Sequence, residues 1–115
     1  MKRNIVYCVR SGNTEKALIY VEKLLSFKVN DNRNSVEDWK KYANIFNINL
    51  RDAAINGGVY PIEALLIGEK FMNYIQISQD RELIKRKIYS LVEEYTSEVL
   101  KNETKGCIKS NKRNI

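Results

Sequence analysis

A chain of 115 residues, 43% of them apolar, holds enough material for one modest core and for one domain. Histidine is absent, and Cys8 and Cys107 stand alone with no CxxC pair, which excludes the usual zinc sites and removes the commonest general base. The net charge of +6 is uneven: Lys101, Lys105, Lys109, Lys112 and Arg113 against Glu103 leave +4 on the last fifteen residues and +2 on the first hundred.

One proline and five glycines in a chain rich in Leu, Ile, Lys and Glu predict long helices rather than a many-turned sheet. The first helix is expected over Asn4–Arg10, broken by Ser11-Gly12-Asn13. Asn13 or Thr14 caps the second helix, whose Ala17, Leu18, Val21, Leu24 and Leu25 recur at helical spacing on one face. Asn30 to Asn34 reads as a polar loop. Ser35 opens the third helix, with Asp38 three residues on as a capping-box partner. Its stripe is Val36, Trp39, Tyr42, Ala43, Phe46, Leu50, Ala53 and Ala54, and Ile45, Ile48 and Ile55 widen that stripe past half the circumference. So broad an apolar surface predicts a central helix with neighbours on several sides.

The run from Arg51 to Pro61 is the most informative segment. Asn56, Gly57 and Gly58 suit the left-handed conformations that close a helix, and Pro61 suits the first turn of the next. That fourth helix carries Ile62, Leu65, Leu66, Phe71, Met72 and Ile75, with Gly68 marking a close approach of a neighbouring helix. Ser78 or Asp80 caps the fifth, which is expected to end near Lys101. Its apolar face is Leu83, Ile84, Ile88, Leu91, Val92, Tyr95 and Val99, and its opposite face is charged. The expected fold is therefore all-α: one compact bundle of about five helices over 1–101, then a flexible basic tail over 102–115. No internal repeat stands out.

No nucleophile elbow, phosphate-binding loop or dinucleotide fingerprint occurs, and no catalytic, cofactor-binding or metal-ligating residue is assigned. Glu93, Glu94 and Glu98 read as solubilising charge, and Cys8 as a core thiol. Tyr42, Tyr74, Tyr89 and Tyr95 read as stripe-edge packing. The turn before Pro61 has the outline of a helix-turn-helix motif. However, a helix opening Pro61-Ile62-Glu63-Ala64-Leu65 offers a carboxylate and aliphatics where base-reading amides or guanidinium groups belong. No apolar run reaches the roughly 20 residues of a membrane span. The amino terminus lacks a secretory pattern, so a cytoplasmic protein is expected.

The run Leu50 to Tyr60, LRDAAINGGVY, resembles a helix corner found in Firmicute transcription regulators of the AraC family. Val9 to Ala17, Pro61 to Ile75 and Asp80 to Leu100 are similar, more loosely, to the helices around that corner. In the family this helical module lies between a sensor and two helix-turn-helix units and serves as a linker or dimerisation region. This sequence ends where those units are expected to begin. The resemblance therefore implies a non-enzymatic regulatory module acting through protein contacts, as a homodimer or with a regulator. The expected contact face is Ile84, Ile88, Leu91 and Tyr95. A stand-alone, phage-encoded inhibitor of a nucleic-acid-processing complex is the alternative. Nucleic acid enters the expectation only through the tail cations Lys105, Lys109, Lys112 and Arg113.

Overall fold

The computed structural model describes residues 2–29 and 35–113, with side chains described over 4–26 and 35–102. Among the described residues there are five helices and no strand: α1 (Lys2–Arg10), α2 (Thr14–Val29), α3 (Val36–Asn56), α4 (Pro61–Ile77) and α5 (Arg81–Arg113). The all-α bundle expected from composition and periodicity is the observed fold. The expected loop at 30–34 lies outside the described residues. The fifth helix, expected to end near Lys101, runs on to Arg113; the side chains of the flexible basic tail expected over 102–115 lie, beyond Asn102, outside the described residues.

Local chemistry accounts for the helix ends. The Asn13 side-chain oxygen accepts from the Lys16 N–H at 3.2 Å, so Asn13 rather than Thr14 caps α2. At α3 the capping box is complete: the Ser35 hydroxyl accepts from the Asp38 N–H, and the Asp38 carboxylate accepts from the Ser35 N–H. Pro61 is the first residue of α4, where its missing N–H removes no helical bond. Asp80, not Ser78, receives a first-turn N–H of α5, from Glu82 at 2.9 Å. Ser78 instead turns back on α4 and donates to the Tyr74 carbonyl.

Two corners share one construction. At the end of α1 the Asn13 N–H donates to the Cys8 carbonyl, the Gly12 N–H donates to that of Val9, and Gly12 has φ +72°. At the end of α3 the Val59 N–H donates to Ala54 and the Gly58 N–H to Ile55, with Gly58 at φ +110°. Both are Schellman closures, with glycine at the left-handed position and Val59 buried beside the second one. Asn56 is still helical and Gly57 has φ −85°, so of the three residues expected to turn left only Gly58 does.

Gly57 is required for a different reason. A methyl group there would run into the Arg10 carbonyl of α1 and stand 3.1 Å from Val99 of α5. Gly12 lies equally close to α5, its Cβ position 3.0 Å from Leu100. The two corners therefore meet on the same turn of α5.

α5 packs against all four other helices, whereas α3 touches α1, α4 and α5. α3 thus has neighbours on several sides, as expected, and it shares the centre of the bundle with α5, which touches every other helix. Its buried stripe is nevertheless narrower than expected: Ile45 and Ile48 are 51% and 40% exposed. In α5, Ile84, Ile88, Leu91, Val92, Tyr95 and Val99 are buried as expected. Leu83 is exposed instead, and Thr96 joins the core by donating its hydroxyl to the Val92 carbonyl. In α4 the buried face is Ala64, Gly68, Phe71 and Ile75, while Ile62, Leu65 and Leu66 point outward.

Candidate functional site

The expected contact face of α5 is not available to a partner. Ile84, Ile88, Leu91 and Tyr95 are each at most 1% exposed. They are consumed by the chain's own core, because four helices surround α5. The amphipathic reading was right about which residues are apolar and wrong about what covers them. Lys105, Lys109, Lys112 and Arg113 lie outside the described side chains.

Tyr95 occupies the centre of the molecule. Its hydroxyl donates to the Asn47 side-chain oxygen at 2.8 Å and approaches the Ala64 carbonyl at 3.3 Å, linking α5 to α3 and α4. Gly68 makes this possible: a Cβ there would lie 3.0 Å from the phenol oxygen and 3.1 Å from the Asn47 amide. The close approach that Gly68 predicts is therefore observed, and its cause is a buried polar contact. Burial pushes the Tyr95 phenol well above its ordinary range; Arg51 opposes this, and Glu94 and Asp52 add to it. Tyr42 and Tyr89 are raised by burial in the same direction.

The linkage has a definite sign. The folded chain holds the Tyr95 proton, while the unfolded chain releases it above about pH 10. This group's contribution is full below about pH 10. It then declines with rising pH by up to about 1.4 kcal/mol per unit, towards the raised folded value. Urea titrations at increasing alkaline pH should show this slope, and Tyr95→Phe should flatten it by one tyrosine's share, leaving that of Tyr42 and Tyr89. An unchanged slope in the variant would mean that Tyr95 is not the protonated group.

A cleft of about 510 Å³ runs beside Glu93, Glu94 and Glu98 of α5, with Ser90, Ser97 and Lys101. Lys101 and Glu98 are ion-paired at 3.3 Å across one turn. Among the described residues no group of Cys, Asp and Glu converges to hold a metal ion, and nothing turns these glutamates from solubilising charge into a site. Cys8 is buried, with a thiol pushed up by burial and eased by Lys16, as befits a core residue. Cys107 lies outside the described side chains.

The outward face of α4 is different in kind. Ile62, Leu65 and Leu66 are 63%, 45% and 58% exposed, and Tyr60 precedes them at 48%. α3 and α4 run antiparallel, with the Lys40 ammonium donating to the Gln76 carbonyl at one end and Asn47 against Gly68 midway. Helical spacing then places Ile45 and Ile48 on the same outer side of this hairpin. Apolar periodicity places Ile45, Ile48, Ile62, Leu65 and Leu66 inside, and the structure turns them outward. What could have revealed them is that Ala64, Gly68, Phe71 and Ile75 already complete one narrow stripe at i, i+4, i+7 and i+11, so Ile62, Leu65 and Leu66 are surplus to it.

No helix among the described residues is long and apolar enough to cross a membrane. No family model, no curated protein and no solved structure matches this chain.

Proposed function

We propose that this chain is a non-enzymatic regulatory module that self-associates through the outer face of the α3–α4 hairpin. The observation that carries the reading is the exposure of Ile62, Leu65 and Leu66 on α4 beside Ile45 and Ile48 on α3. Scattered exposed aliphatics are ordinary, whereas a contiguous group on one two-helix face marks an association surface.

Size and charge favour a second copy as the occupant. α4 is 17 residues long. Two neighbouring helices of that length present a face of roughly 500 Å² in projection. That is more than half of the roughly 800 Å² per partner of a standard interface. The exposed charged residues among and beside these aliphatics are Glu37, Lys41, Asp52, Glu69 and Lys70, three acidic and two basic, so a copy related by a two-fold axis meets little net repulsion. The resemblance to a linker and dimerisation module of AraC-family regulators supports the same reading.

The wild-type chain is expected to sediment as a reversible dimer. Leu65→Glu combined with Leu66→Glu should shift it to monomer, with helicity by circular dichroism unchanged because both side chains are exposed. A wild-type chain that stays monomeric at high concentration overturns the proposal. So does a dimer that the double variant leaves intact.

A further inference from the structure

The α1–α2 hairpin carries a second arrangement that does not depend on the α4 face. A cleft of about 130 Å³ opens between the two helices, lined by Asn4, Tyr7 and Ser11 on one side and Asn13, Lys16 and Tyr20 on the other. The spacings explain the convergence. Asn4, Tyr7 and Ser11 recur at three and four residues along α1 and into its corner. Asn13, Lys16 and Tyr20 do the same from the cap of α2, so each set forms one ridge facing the other.

Tyr7 is 70% exposed, which is unusual for so large an apolar ring. The Lys23 ammonium lies over the Tyr20 ring, 5.9 Å from its centroid. Among the described residues, the Asn4 amide, both phenol hydroxyls and the Lys16 ammonium make no hydrogen bond or ion pair within the chain. Asn13 uses its oxygen as the cap of α2, which leaves its NH₂ group for another acceptor.

The charge of this hairpin had been hidden in the total. Residues 1–29 carry Lys2, Arg3, Arg10, Lys16, Lys23 and Lys28 against Glu15 and Glu22, a net +4, so residues 30–100 carry −2 of the +2 on the first hundred. The basic character of the domain therefore belongs to α1 and α2. Tyrosines interleaved with lysines on one exposed face are the pattern of a surface that stacks bases. In the linear sequence it does not stand out, because the two tyrosines sit on different helices.

We propose that this cleft binds one unstacked base of a single-stranded nucleic acid. Tyr7 and Tyr20 wall the base, the Asn4 and Asn13 amides meet its edge, and Lys16 and Lys23 take the flanking phosphates. The dimensions fit: a cavity of about 150 Å³ accepts a benzene ring, and this open cleft of about 130 Å³ accepts a six-membered ring but not the edge of a duplex. A small organic acid would use Lys16 but would have no use for two aromatic walls. The expected preference is therefore for single strands over duplex and, among single strands, for pyrimidines over the larger bicyclic purines.

Fluorescence anisotropy of the full chain with short labelled oligothymidylate and oligouridylate tests this. Tyr7→Ala should weaken binding about tenfold, the consequence of losing one stacked base at about 1.4 kcal/mol. Tyr7→Phe, which keeps the ring, should bind like wild type. Lys16→Gln should reduce the salt slope by about one between about 50 and about 200 mM salt. Competition by the corresponding mononucleotides separates a strand from a free nucleotide: displacement at concentrations similar to the oligonucleotide assigns the cleft to mononucleotides and overturns the strand. Neutralising Lys105, Lys109, Lys112 and Arg113 to glutamine in the full chain isolates the tail. If that variant loses binding while Tyr7→Ala keeps it, the cleft is not the site. Absence of binding by wild type, or equal binding by wild type and Tyr7→Ala, also overturns the proposal.

Discussion

Gly57→Ala is expected to destabilise the fold by about 3 kcal/mol, a fall in Tm of roughly 12 °C. Gly57 has φ −85°, which any residue adopts, so the cost is not conformational. It is steric: the added methyl group meets the Arg10 carbonyl, which belongs to backbone and cannot rotate away, and Val99 closes the other side. Relief requires moving α1 from α3 or α5 from both. Gly58→Ala makes an informative contrast. The space there is open, with Asn102 Cβ 4.0 Å from the new atom, but φ is +110°. That variant pays only backbone strain, about 1–2 kcal/mol. Thermal unfolding of both should rank Gly57→Ala as the more damaging. The reverse order would mean that α1 does not press on the corner as closely as described.

The second large effect is expected at Tyr95. Tyr95→Ala removes a fully buried ring from the helix that all others contact, at a cost of about 4 kcal/mol, and orphans the Asn47 amide. Tyr95→Phe keeps the ring and loses only the hydroxyl, leaving the Asn47 oxygen buried without its donor, for about 1–2 kcal/mol. Adding Asn47→Leu to Tyr95→Phe should recover part of that loss if the new side chain fits beside Gly68, because replacing both partners removes the unsatisfied group. Denaturant midpoints of the two single variants and the double variant measure the coupling. Strict additivity would mean that the two side chains do not depend on one another.

The sequence carried the helices well because each is bounded by a local signal. Ser35 with Asp38, Gly12 with Asn13, Gly58 and Pro61 act within four or five residues of themselves, and all function as their types predict. Side-chain direction was less legible. Apolar periodicity counts hydrophobic residues but does not say how many neighbours a helix has. Ile45, Ile48, Ile62, Leu65 and Leu66 therefore read as core, although the space around α3 and α4 is already filled by Phe46, Leu50, Ala64 and Phe71. The face of α5 was found almost residue by residue, yet its role was reversed: a stripe that looked free to dock is wrapped by four helices. The Tyr7–Tyr20 cleft was illegible for a third reason. Its two walls lie on separate helices, and only the packing of α1 on α2 brings them together.

The position of α5 in the chain bears on how the molecule is made. The helix that every other helix needs is synthesised after the other four, so the two hairpins leave the ribosome with their inner faces open. Ala17, Val21, Phe46, Leu50 and Phe71 share one buried core with Ile88, Val92 and Val99, and that core is incomplete until α5 arrives. The nascent chain therefore has a long interval with exposed apolar surface and a late, single closing step. That interval is when chaperones, or a second copy emerging from the same message, have their best access to it.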